Sequence, residues 1–194
     1  MRVLIYGYGE RLGSLIKKEL EMYGHELIII GNVKSEKKDK TEFIERKKFN
    51  LKKIDNLNFD VLIFNGSYRE ACYPSEVKND FLAKSLNYHL FDFIDLLPVI
   101  KMMVKNKKGK IIVTSNIHGV TPSINSSVES VGKVALETYL KTLRNELKIY
   151  EIKIHILRLN SKIERGYSSE GDYVPRYYHD IISGLESDEV IEIN

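Results

Sequence analysis

Gly7-Tyr8-Gly9-Glu10-Arg11-Leu12-Gly13 is the stretch whose residue types and spacing first suggest chemistry. It follows a short apolar run, residues 1–6, and leads into an amphipathic segment carrying Leu15, Ile16, Leu20, Met22 and Tyr23. A buried strand that stops at glycines and re-enters as a helix aims free N–H groups and a positive dipole end at a pyrophosphate. The spacing is not Gly-x-Gly-x-x-Gly, because Leu12 stands where that pattern needs glycine and the last glycine is Gly13. Arg11, inside the turn, reads two ways. It is always charged and fork-shaped, so it can cover a pyrophosphate or a 2′-phosphate, or it can fill the space where backbone would meet the ligand.

Other chemistries find little support. The single Cys72 excludes an intramolecular disulfide and suits a reducing cytoplasm, where we expect the protein. The five histidines are scattered without metal-ligand spacing, so no metal site is expected. A net charge of +3 is too small to imply nucleic acid, and no basic helix or aromatic-basic sheet motif appears. Part of the basic excess is local, in residues 34–53, which reads as a solvated surface or a phosphate-attracting rim. The apolar N-terminal run is short and ends in glycines, unlike a signal peptide. Asp92 and Asp95 interrupt the best candidate for a membrane span, so no membrane association is expected.

The elements that must position these residues follow from apolar pattern. Residues 27–30, 60–64, 110–114 and 151–159 are apolar runs without alternation, as in parallel strands covered on both faces. Residues 35–48 are polar and predicted helical, with Phe43 and Ile44 as anchors, and residues 48–51 suggest a very short third strand. A long helical region over residues 75–105 should be kinked or divided at Pro98. Ser126 or Ser127 can cap a further helix whose apolar positions, Val128, Val131, Ala135, Leu136, Tyr139, Leu140, Leu143 and Leu147, follow helical spacing. A short strand closes the pattern at residues 189–193, while residues 160–180 are polar and aromatic without clear period. Strands alternating with helices give an α/β fold, a Rossmann-like doubly wound parallel sheet of about seven strands in one domain, residues 1–194. Ligands in such sheets bind beyond the carboxyl ends of the strands, so loops 7–13, 65–68, 115–119 and 159–165 should converge.

On these residues the chain resembles the short-chain dehydrogenase/reductase family over nearly its whole length. Tyr6-Gly7-Tyr8-Gly9-Glu10-Arg11-Leu12-Gly13 is similar to the family's Thr-Gly-x-x-x-Gly-x-Gly at Gly7 and Gly13, with Arg11 at the middle glycine. Phe64-Asn65-Gly66-Ser67 loosely matches Asn-Asn-Ala-Gly, and Asn87 with Pro98 matches the helix bearing a catalytic Asn. Gly109-Lys110-Ile111-Ile112 matches the strand before the catalytic Ser, and Glu129-Ser130-Val131-Gly132-Lys133 matches Tyr-x-x-x-Lys. The resemblance implies a tyrosine that passes a proton to or from the substrate oxygen, a lysine that holds the nicotinamide ribose, a serine on the substrate oxygen, and an asparagine that holds a water. Carried over, Lys133 and Asn87 are present, Asn116 stands at the serine and Glu129 at the tyrosine. Asn116 can still donate a hydrogen bond to an oxygen. A glutamate is ordinarily ionised at neutral pH and accepts rather than donates; burial would restore acid character and Lys133 opposes that. Glu129 therefore reads as a working acid or as one member of a surface pair with Lys133, extended by Glu137.

Another proton source is His118, near the expected mouth; Tyr167, Tyr173, Tyr177 and Tyr178 with Arg165 and Arg176, in residues 160–180 that resemble the family's substrate lid, offer a tyrosine reaching into the site or aromatic and arginine contacts to an anionic substrate. Those tyrosines read equally as packed cover. The resemblance implies cofactor contacts from Gly7, Arg11, Leu12, Gly13, Asn32, Lys34, Asn65, Gly66 and Lys133, and a weaker adenine contact at Asn50-Leu51. Lys34 near the end of the second strand, with no acidic residue there for ribose hydroxyls, favours NADP over NAD. The resemblance also implies a homodimer or homotetramer through the long helices, about 83–105 and 126–149. Two function classes follow: an NADP(H)-dependent oxidoreductase on a small carbonyl or alcohol substrate with altered residues, or a non-catalytic or repurposed nucleotide- or metabolite-binding protein or partner subunit.

Overall fold

The computed structural model describes residues 1–9, 11–34, 36–46, 58–160 and 166–194. The chain runs β1 (Arg2–Tyr8), α1 (Leu12–Met22), β2 (Glu26–Gly31), β3 (Glu36–Lys38), β4 (Thr41–Glu45), β5 (Val61–Phe64) and α2 (Asn79–Leu86). It continues with a π turn (Asn87–Phe91), α3 (Asp92–Ile94), α4 (Leu97–Asn106), β6 (Gly109–Asn116), α5 (Ser127–Leu147), β7 (Ile152–Leu159), α6 (Val174–Ser183) and β8 (Val190–Ile193). One sheet holds all eight strands in the order β3-β4-β2-β1-β5-β6-β7-β8. Every described pair is parallel except β3 with β4.

The unalternating apolar runs are explained by two cores on opposite faces. In β1, Leu4 and Tyr6 face one layer with Leu136, Leu140 and Met103. Val3 and Ile5 face the other, with Ile16 and Leu20 of α1 and Tyr178 and Ile181 of α6. Successive side chains in a strand point to opposite faces, so both parities must be apolar when helices cover both.

One expectation fails at the sheet's edge. Residues 35–48 read as helical, but Glu36–Lys38 and Thr41–Glu45 form a hairpin that turns at Asp39, whose φ is +51°. β4 pairs with β2, and Phe43 sits edge-on to Tyr8. Lysines and glutamates favour helix alone but are also the residues of a protected edge strand. The hairpin brings the sheet to eight strands rather than about seven; the short strand expected at 48–51 lies outside the described residues, as do Asn50, Leu51 and Arg165.

The second long helical region is divided as Pro98 requires, with α4 restarting at Leu97 and Pro98 in its first turn. On α5 the buried face differs from the apolar pattern: Val131 is 42% exposed, whereas Glu129, Lys133 and Glu137 are 5%, 3% and 4% exposed. These three, four residues apart, line one stripe of the helix. The expected surface charge ladder is therefore inside the molecule.

Candidate active site

The cradle is built where β1 ends. Gly7 has φ +84°, and a Cβ on it would lie 2.5 Å from the Asn65 carbonyl oxygen, so only glycine passes here between β1 and the loop after β5. Asn65 Nδ2 donates to the Gly7 carbonyl at 3.3 Å, tying the two loops. Gly13 is buried in the first turn of α1, close against Tyr8, while a Cβ on Gly9 would meet nothing within 4 Å. Helix α1 starts after Arg11 with no acidic residue in its first turn. Arg11 is exposed and lies on the rim rather than plugging the space.

A cavity of about 470 Å³ opens from this turn along the carboxyl ends of the strands. The loops expected to converge do so: Gly7, Gly13, Gly66, Asn116 and Leu159 all border it. Leu12, Asn32, Asn65, Glu129 and Lys133 border it too. Lys34 is exposed and lies off the lining, as does Asn87, exposed on the π turn. Residues 161–165 of the fourth loop lie outside the described ones.

At the inner end, Lys133 Nζ donates to the carbonyls of Thr114 and Gly66 at 3.0 and 3.2 Å. Burial pulls its pKa down to about 8, against the charges of Glu129 and Glu137, which push it up. Glu129 does not pair with Lys133. Its Oε1 accepts a short hydrogen bond from Asn116 Nδ2, and its Oε2 lies 3.8 Å from Nε of Arg69, a side chain 71% exposed. Asn116 is held at both ends, since its Oδ1 also accepts from the His118 backbone N–H. Ser115, which also borders the cavity, donates its hydroxyl to Glu137 Oε1 on α5 at 2.5 Å. Glu137 in turn pairs with Arg158 at 2.7 Å. The surface reading of the Glu129–Lys133–Glu137 series is thus replaced by three separate buried engagements.

Several residues of the site carried no sequence signal. His89, on the π turn, is fully buried; its Nε2 lies 3.1 Å from the Tyr68 carbonyl oxygen. Burial, then the Lys133 charge, drops its pKa to about 3. It braces the loop after β5 while Asn87 faces out. At the far end, Arg46 makes a forked pair with Asp92 at 2.5 and 2.6 Å and lies 4.6 Å from the Tyr88 ring centroid. Both partners border the cavity. Arg46 directly follows β4, so a sequence reading with that strand in place would have found it. His118 does not border the cavity.

The lid-like stretch divides. Tyr167 and Tyr173 pair across a single bridge, and α6 follows. Tyr178 on α6 is fully buried and its hydroxyl lies 2.7 Å from Thr114 Oγ1, so it is core, as the packed reading of the tyrosines held. No groups of three or more histidine, cysteine, aspartate or glutamate residues able to hold a metal occur among the described residues. Among the described residues no helix is long and apolar enough to cross a membrane.

Comparison with known proteins agrees with this architecture. Residues 1–160 match the family model described as short chain dehydrogenase. Dehydrogenase/reductase SDR family member 7B of Xenopus tropicalis is 32% identical over 101 residues, 50% of this chain and 32% of that protein. The match to the Xenopus laevis protein of that name is similar, so the aligned stretch spans about a third of the length of these curated relatives. Serine dehydrogenase from Escherichia coli superposes with a TM-score of 0.84 at 16% identity, covering 100% of this chain and 97% of that one. A short chain dehydrogenase from Leptospira borgpetersenii, solved with bound NAD+, gives 0.78 at 17% identity, covering 100% and 91%. At these identities the structures speak for the fold.

Proposed function

This chain belongs to the short-chain dehydrogenase/reductase family, and we propose that it is an NADP(H)-dependent oxidoreductase that exchanges a hydride with a small carbonyl or alcohol substrate through altered site residues. The observation that carries this is Lys133. It is 3% exposed, yet it sits at the end of the cavity that begins at the glycine turn. Burying an ammonium is costly unless something uses it.

The residues fit a dinucleotide. Gly7, Leu12 and Gly13 with the start of α1 would hold the pyrophosphate, with Arg11 over it; Asn65 and Gly66 would border the adenine ribose, and Lys133 would hold the nicotinamide ribose. A nicotinamide bound there would supply or accept the hydride. Asn116 and Glu129 would orient the substrate, Asn116 by its amide and Glu129 as an acceptor. Asn87, outside the lining, would act only through the backbone of the π turn. For NADP over NAD, Asn32, directly after β2, is no carboxylate, and Arg11 on the cavity and Lys34 just beyond its lining supply positive charge. Phe91, Val131 and Val134 leave apolar surface on the helices that would join subunits in a dimer or tetramer. The lone Cys72 suits the cytoplasm.

Titration with NADPH and NADH, followed by nicotinamide fluorescence, tests this. Saturable binding with NADPH tighter is expected; no binding of either up to millimolar concentration overturns it. A second reading, a repurposed nucleotide- or metabolite-binding protein or partner subunit, is favoured by Ser115, which borders the cavity but has its hydroxyl engaged by Glu137. Under that reading cofactor binds without turnover, and Glu129→Tyr brings carbonyl reductase activity.

A further inference from the structure

The altered wall of the site raises a chemical problem. A carbonyl that receives a hydride becomes an alkoxide, and its oxygen needs a proton donor held in place. Ser115 Oγ donates to Glu137, and the Thr114 hydroxyl is engaged with Tyr178. What faces the space beside Lys133 is the Glu129 carboxylate, 5% exposed and already accepting a hydrogen bond from Asn116. Its second oxygen has only an exposed arginine nearby, at 3.8 Å, a loose contact of the kind that a better-placed cation displaces. Lys133 acts on it only through space, since the hydrogen bonds of that ammonium go to the Gly66 and Thr114 carbonyls. The wall is built to accept a hydrogen bond from a cation, with its position fixed by Asn116 and α5 rather than by a partner charge.

We propose that the reacting heteroatom of the substrate is a nitrogen rather than an oxygen, so that Glu129 receives the N–H of an iminium, or of the corresponding ammonium, and the site interconverts a small imine and amine. This rests on the nicotinamide-binding reading and changes only the atom that Glu129 faces. The balance suits a site without a placed acid. Hydride, supplied by a reduced nicotinamide, forms a C–H bond at the iminium carbon while the C=N π pair moves to nitrogen. The nicotinamide is oxidised, the positive charge on nitrogen is cancelled, and no proton enters the step. The neutral amine takes its proton from water afterwards. An anionic acceptor placed at that nitrogen holds the electrophile in its cationic, reactive form, whereas the same carboxylate repels a developing alkoxide.

Isothermal titration with pyrrolidine, protonated at neutral pH, against its neutral isostere cyclopentanol tests this, with and without saturating NADP+. A charge-assisted hydrogen bond is worth about 1.5–3 kcal/mol, so pyrrolidinium should bind about tenfold or more tightly than cyclopentanol. Glu129→Gln, which keeps shape and removes charge, should abolish that preference while NADP+ affinity stays within about twofold, its retention also showing that the variant folds. Equal binding of the two probes, or a preference that survives Glu129→Gln, overturns the proposal. If NADP+ fails to bind but the Glu129-dependent amine preference is present, the oxidoreductase reading falls and the cation site stands. If NADP+ binds and the preference is absent, the reverse holds. If neither NADP+ nor either probe binds, both fall. With reduced cofactor, 1-pyrroline should be consumed faster than cyclopentanone, and the opposite ranking counts against the nitrogen assignment.

Discussion

His89 is neutral in the folded protein over the whole range where a free histidine would charge. Its pKa is depressed to about 3 by burial first and by the neighbouring Lys133 ammonium second. The unfolded chain therefore binds the extra proton below pH 6.5 and the folded chain does not until near pH 3. Stability from this group is fully present above pH 6.5 and is lost as pH falls through that window. At about pH 4.5 the loss should reach about 3 kcal/mol. His89→Gln keeps a donor toward the Tyr68 carbonyl and cannot charge. Urea midpoints at pH 7 and about 4.5 should show a steep drop for the wild type and a shallower one for the variant. Equal slopes would place the proton elsewhere. Nothing in the sequence marked this residue: the π turn, which sets whether Asn87 or His89 faces inward, has no local signature. Lys133 and Glu129 were legible by order and spacing, but their partners were not. Four-residue spacing states that two side chains share a helix face, and it does not state whether that face meets solvent or sheet.

Helix α5 meets α2 and the π turn at Gly132. A Cβ there would run into Ser85 Oγ and His89 Cδ2. Neither can move freely, because Ser85 Oγ donates to the Val128 carbonyl at 2.6 Å and His89 is held at Tyr68. Alanine at Gly132 gains about 1 kcal/mol of helix propensity. Overpacking costs typically about 1–3 kcal/mol, and here the obstructing atoms are anchored, so the cost should win. We expect Gly132→Ala to melt about 2–6 °C lower and to bind NADPH more weakly, because Lys133 is the next residue. An unchanged melting temperature would show that α2 yields. The central elements of the fold were readable because β1, β2, β5, β6 and β7 are apolar on both parities, which only a doubly covered sheet requires. The β3–β4 hairpin was not, since an edge strand need not be apolar and its charged residues score as helix formers. The α6 helix was hidden for a related reason. Tyr177, Tyr178 and His179 carry polar tips on bodies that can pack, so their period is masked in a hydrophobicity reading.

At the scale of the whole molecule, the two helical faces that close over the cavity's inner end also carry apolar surface outward. Val131 and Val134 are 42% and 44% exposed on α5, one turn apart, and Phe91 on the adjoining π turn is 49% exposed. The inward stripe of the same helix holds Glu129, Lys133 and Glu137. The helix buries these charges beside its core leucines and leaves two valines outside, and a second copy laid on that face would bury what the sheet does not. Scattered apolar residues on a surface are ordinary, so the expectation rests on these three lying on elements that pack against each other. A two-fold pairing presents the same patch from each subunit. Two lysines placed there face their own copies across the axis, where like charges oppose association. We expect the wild type to run as a dimer or tetramer in light scattering after size exclusion, and Val131→Lys with Val134→Lys to shift it toward smaller species. Both positions point away from the core, so far-ultraviolet circular dichroism of the variant should match the wild type. A wild type that is monomeric at about 100 μM, well above the concentration where a standard-sized interface associates, would remove this face as a subunit contact. Loss of NADPH binding on dissociation would add that the π turn, and with it His89 and the Lys133 end of the cavity, is braced by the neighbouring subunit.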